Sequence, residues 1–110
     1  MLTKRQRVTL AAFADRVIPP DDAPGGADIG AVAFVEDLLE RELAPQASEY
    51  AAFLEVLDSV GFVEKSAQAQ DALLRERESS PVFRLAAETI HEAYWTSVPG
   101  KHLVGFIERG

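Results

Sequence analysis

The chain has 110 residues, 47% of them hydrophobic and 26% charged, a net charge of −7 and no cysteine. That length supports a single domain, 1–110, whose core buries roughly 60–70% of the surface of the unfolded chain, and the composition is globular, not disordered. The acidic balance argues against nucleic acid or an anionic membrane as the main partner, since both require a basic face, and the absence of thiols removes disulfides, thiolate metal sites and a cysteine nucleophile.

Residues 1–18 carry four bases and one acid, whereas residues 19–60 carry ten acids and only Arg41 as a base. The last fifty residues are nearly balanced, with seven acids and six bases. The acidic middle block reads as a set of solvated helix faces. No run reaches the ~18–20 apolar residues of a membrane helix. Lys4, Arg5 and Arg7 precede a segment interrupted by Asp15 and Arg16, so there is neither a signal peptide h-region nor an adjacent arginine pair. The expectation is a cytoplasmic chain, or one exported with its partner if a leader has been removed.

The spacing predicts a first helix over residues 3–18. Thr3 and Gln6 have capping-box spacing, and Val8, Leu10, Ala11, Phe13, Ala14, Val17 and Ile18 form its apolar face. Pro19 and Pro20 stop it. Residues 15–30 then form a Pro/Gly/Asp-rich connection in which three prolines exclude helix and Gly25 and Gly26 allow angles other residues resist. No Cys, His, Ser or Lys lies in it, so it reads as a shaped surface. A second helix starts near Asp28 or Gly30, with Asp28 as its cap, and reaches about Leu43. Val32, Val35, Leu38, Leu39 and Leu43 form its stripe, and Glu36, Asp37, Glu40 and Glu42 face water.

Pro45 breaks that run, and Ser48 is placed to cap a third helix with Tyr50, Phe53, Leu54, Leu57 and Val60 on one stripe, ending near Gly61. Ser66 caps a short fourth helix closed by the polar run over residues 75–80. Ser80-Pro81 opens a fifth, whose buried side is Val82, Phe83, Leu85, Ala86, Ile90, Ala93 and Tyr94. The C-terminal segment from Val98 is too broken for a long helix and too apolar for a free end, so it is expected to pack on the body or on a partner. The fold class is all-α, a bundle of about five helices.

No catalytic constellation emerges. Glu88 and His91 have the Glu-x-x-His spacing of di-iron bundles, but His102 is the other histidine and has no glutamate three residues before it. The pair reads as a surface histidine with helical glutamate neighbours. Asp21, Asp22 and Asp28 fit no EF-hand. There is no Gly-x-Ser-x-Gly elbow, and Gly25-Gly26 is too short for a phosphate loop. Tyr94-Trp95 either completes the core where the tail crosses the fifth helix or supplies anchors for a partner's pocket, and both can hold.

The order of these features carries a resemblance. Leu2-Thr3 and Gln6-Arg7 open the chain, and an alanine-rich helix ends in Ala14-Asp15-Arg16-Val17-Ile18-Pro19. Asp21-Asp22-Ala23-Pro24-Gly25 follows, then Gly30 and Phe34 at the start of an acidic helix. Tyr94-Trp95, Val98-Pro99 and Leu103-Val104-Gly105-Phe106 close it. This resembles the subunit 3 family of gluconate 2-dehydrogenase, small subunits of sugar dehydrogenases. The resemblance implies a non-catalytic subunit that binds and stabilises or matures a large FAD-dependent oxidoreductase of the glucose-methanol-choline type. Flavin and catalytic base would then belong to the large subunit, and this chain would hold no cofactor or metal.

Such subunits often carry a twin-arginine signal, and this sequence has none. It also lacks haem-attachment cysteines, so it would not be the electron-transfer subunit. The expected contact surface is Pro19, Pro20, Asp21, Pro24 and Gly25 of the connection with Tyr94, Trp95, Leu103 and Phe106. The alternatives are a stand-alone helical adaptor for an unrelated protein and a small metalloenzyme built on His91.

Overall fold

Thr3 starts the first helix by the reciprocal bonds its spacing predicts. Its hydroxyl accepts the Gln6 N–H at 3.0 Å, and the Gln6 Oε1 accepts the Thr3 N–H at 2.8 Å, so two of the free donors at the helix start are satisfied. The computed structural model describes residues 2–20, 25–27 and 29–96. Among them are five α-helices: α1 (Lys4–Val17), α2 (Ala31–Glu40), α3 (Ala47–Ser59), α4 (Ala67–Arg77) and α5 (Pro81–Thr96), with 3₁₀ turns at Ala44–Gln46 and Phe62–Glu64. No strand occurs among the described residues, and the architecture is all-α. The C-terminal tail lies outside them.

The first helix is the hub. It packs against α2, α3, α4, α5 and the Phe62–Glu64 turn, while α2 and α3 each also meet α5. Its buried stripe is Gln6, Thr9, Leu10, Phe13 and Ala14. Val8 is exposed instead, because it stands roughly 140° around the helix from Phe13 at 3.6 residues per turn. The polar members of the stripe are satisfied: the Thr9 hydroxyl donates to the Arg5 carbonyl at 3.0 Å, and Gln6 Nε2 donates to Glu55 at 2.8 Å.

Phe13, Phe53 and Phe83 come from α1, α3 and α5 and meet edge to face. Their ring centroids are 5.4, 5.8 and 6.1 Å apart and their planes 85–87° apart. This places the positive edge of one ring on the negative face of the next, a geometry that adds to simple area burial. Beside it, Tyr50 of α3 is fully buried and bonded to Thr89 of α5 at 2.7 Å. The Thr89 hydroxyl donates to the Ala86 carbonyl at 2.6 Å, so the proton between Tyr50 and Thr89 belongs to Tyr50.

Three boundaries differ from the sequence expectation. Helix α2 ends at Glu40 rather than Leu43, because a helix running into Pro45 would press the proline ring onto the Arg41 carbonyl. The chain turns there, and the Leu43 N–H bonds back to Leu38 at 2.7 Å. Helix α3 takes no cap from Ser48. The 3₁₀ turn containing Pro45 runs straight into Ala47, so the helix begins before Ser48 and the serine stands inside its first turn instead of at the cap position. Val60 lies past the end of α3 and is exposed, in a turn completed by Gly61 at φ 73°. Ser66 and Ser80 do cap as expected, accepting the N–H groups of Ala69 at 3.2 Å and Phe83 at 3.1 Å.

Two outcomes follow from the core. Phe13→Ala, which removes one ring from a three-ring contact, is expected to lower stability by about 3–5 kcal/mol in urea unfolding. Burial holds the Tyr50 phenol well above its ordinary value of 10.0. The unfolded chain therefore loses this proton before the folded one does, and stability falls as pH rises above about 10. Tyr50→Phe should flatten that alkaline decline, measured as unfolding free energy against pH.

Candidate functional site

The described residues of the connection after α1 are bonded back onto the helix it leaves. The Gly26 N–H donates to the Ile18 carbonyl at 2.8 Å, and the Ala27 N–H donates to Asp15 Oδ1 at 3.0 Å. The Ile29 N–H reaches the Gly25 carbonyl at 3.2 Å and leads the chain into α2. Asp15 is thus more than an interruption of an apolar face, since its carboxylate anchors the loop.

The two glycines serve this approach by their size. A Cβ on Gly26 would run into the Ala14 carbonyl and lie 2.7 Å from the Ala14 side chain, and one on Gly25 would lie 2.7 Å from the Pro20 nitrogen and 2.9 Å from Asp15 Oδ1. Gly26 does not have a positive φ, so its role here is one of size and not of an unusual backbone angle. The left-handed residue is Gly30 at φ 80°, where nothing stands within 4 Å of a Cβ. It occupies the N-cap position of α2, and the expected cap Asp28 lies outside the described residues.

Of the expected contact residues, Pro19 and Pro20 are exposed, and Gly25 is buried against Pro20. Tyr94 and Trp95 sit in the last turn of α5 with ring centroids 5.3 Å apart and planes at 76°. Tyr94 is half-buried, and Trp95 is 45% exposed. Asp21, Pro24, Leu103 and Phe106 lie outside the described residues. His91, Glu88 and Glu92 are all exposed, and no group of three or more His, Asp or Glu among the described residues could hold a metal. No helix among them is long and apolar enough to cross a membrane.

One feature had no signal in the sequence. A cleft of about 530 Å³ opens between α3, the end of α4 and the start of α5, with Ala52, Phe53, Val56 and Val82 along it and Arg77 beside them. Residues 75–80 read as a plain solvated run, and only the packing of three helices turns their end toward apolar side chains.

Fold and site together define a small helical protein whose assets are shape, an exposed aromatic and a partly apolar cleft. The chain matches the gluconate 2-dehydrogenase subunit 3 family over residues 4–108 and belongs to that family, whose name makes its members subunits of a dehydrogenase complex. No curated protein and no solved structure matched the chain.

The loop gives a paired test. Gly26→Ala should cost about 3 kcal/mol, because the carbonyl it meets is fixed within α1. Gly30→Ala, strained only in its backbone angle, should cost about 1–2 kcal/mol. Urea midpoints of the two variants check the order.

Proposed function

We propose that this chain is an accessory subunit that binds a large FAD-dependent oxidoreductase of the glucose-methanol-choline type and stabilises or matures it. The flavin and the chemical step belong to the large subunit, and this chain contributes surface. The observation that carries the reading is the family match across residues 4–108. Its physical support is Trp95, a large aromatic 45% exposed at the end of a helix beside Tyr94. Aromatic anchors dominate interface energetics, and the exposed part of such a side chain is what docking buries.

An interface of standard size, about 800 Å² per partner, engages roughly 20–30 residues, a large share of so small a chain. We assign to it Pro19 and Pro20 of the loop, the Tyr94–Trp95 turn, and the apolar residues Leu103 and Phe106. Pro19 and Pro20 suit such a surface, since their rings fix φ and leave little entropy to lose on binding.

Pull-down of the chain from its native cells should bring with it a protein several times larger with a flavin absorbance spectrum. Trp95→Ala should weaken that complex by about 30-fold, the loss of a typical aromatic hot spot. Capture of a colourless, unrelated protein would support the adaptor reading instead.

A further inference from the structure

The cleft between α3, the end of α4 and the start of α5 leaves apolar surface uncovered at the edge of the core. Val56 is 42% exposed there, one turn along α3 from the nearly buried Phe53, and Ala52 is exposed one turn before it. Val82 at the start of α5 also lines the cleft and is half-buried. A volume of about 530 Å³ lies within the range that ordinarily holds a small ligand, so two large side chains have room. The charged margin is net acidic, with Glu49 and Glu76 against Arg77. The fitting occupant is therefore apolar and carried on a segment that is basic, not acidic.

The chain itself carries such a segment. Residues 101–107 read Lys101-His102-Leu103-Val104-Gly105-Phe106-Ile107, with a base, a histidine, four apolar side chains and no acid. They follow α5, the helix whose start lines the cleft. Val82 stands fourteen residues before Thr96, the last residue of α5, a distance of about 21 Å at 1.5 Å per residue. Ten residues separate Thr96 from Phe106, an extended length of about 33 Å at 3.3 Å per residue. Roughly a third of that length is left for a reversal, which the Pro99-Gly100 dipeptide favours. Leu103 has only about 23 Å of chain behind it, too little to turn and reach Val82. Phe106 and Ile107 are thus the apolar pair within reach of the cleft.

We propose that, in the chain free of a partner, residues 101–107 fold back along α5 and seat Phe106 and Ile107 in this cleft, covering Val56 and Val82. Attachment favours this occupant over any diffusing one, because a short tether gives it an effective concentration of about millimolar. Apolar surface on both sides leaves water in the same step. The inference goes beyond the accessory-subunit reading and does not need it: the cleft holds Phe106 before docking, and the interface assigned above takes it over.

The experiment uses the isolated 110-residue chain. Photoreactive benzoylphenylalanine in place of Phe106 should cross-link within the same chain, to residues 52–56 or 79–82, read by mass spectrometry of the monomer band. Val56→Ala and Phe106→Ala should each lower the urea midpoint. Combined, they should cost less than the two effects added, leaving the folding equilibrium at least about twofold above the additive value. Val8→Ala removes a similarly exposed valine of α1, which does not line the cleft, and should show no such coupling to Phe106→Ala.

Cross-links from position 106 to another part of the chain or to a second copy would overturn the proposal. So would additive effects of the Val56 and Phe106 substitutions. Neither result touches the accessory reading, which stands or falls on capture of the flavoprotein. Adding that flavoprotein should move the cross-link from the cleft to the large subunit. An unmoved cross-link would support the cleft as the seat of Phe106 and remove this residue from the interface.

Discussion

Everything in this bundle depends on Phe13. It is fully buried on α1, and its ring is the edge or face against which both Phe53 of α3 and Phe83 of α5 are set. Three helices are positioned by one contact, and the cleft lined by Phe53 and Val82 is the outer side of the same junction. Close-packed interiors transmit such positioning, since a ring cannot tilt without displacing its neighbours.

Charge follows the same hub. The three arginines of α1 lie off its buried stripe, and each reaches a different part of the chain that follows: Arg5 to the end of α3 and the next turn, Arg7 to α2, and Arg16 to α4. The uneven spread of charge along the sequence is therefore the linear trace of a central cationic helix packed against two acidic ones, α2 and α3. Partly exposed pairs of this kind contribute little stability individually, and their value lies in rejecting alternative packings of similar helices. Glu36 illustrates the change in reading, since helical spacing assigns it to water whereas in the fold it is half-buried on Arg7.

The candidate surfaces were legible to different degrees. Trp95 stands out in the sequence as a large aromatic at a helix end, and the stiffness of the Pro/Gly connection follows from its prolines. The reason for its glycines does not, because it depends on how near the loop comes to Ala14 and Asp15, a distance set by bonds to Ile18 and Asp15. Arg77 was invisible for a similar reason. In the sequence it is one of several charges in a polar run, and its half-buried place beside the cleft exists only once the helices pack.

The sequence by itself determined the all-α class, the extent of α1, the capping residues Thr3, Ser66 and Ser80, and most of the apolar stripes, because each depends on interactions within about four residues. The true end of α2 was nearly readable, since the proline at position 45 acts on the carbonyl four residues earlier. Only tertiary structure decided that Phe13 joins Phe53 and Phe83, that Tyr50 bonds to Thr89, and that Asp15 holds the loop. It also decided that an arginine at the end of α4 lies beside an apolar cleft. These contacts join residues between 12 and 70 positions apart, and no local preference encodes which distant side chain comes within reach when several helices compete for one core.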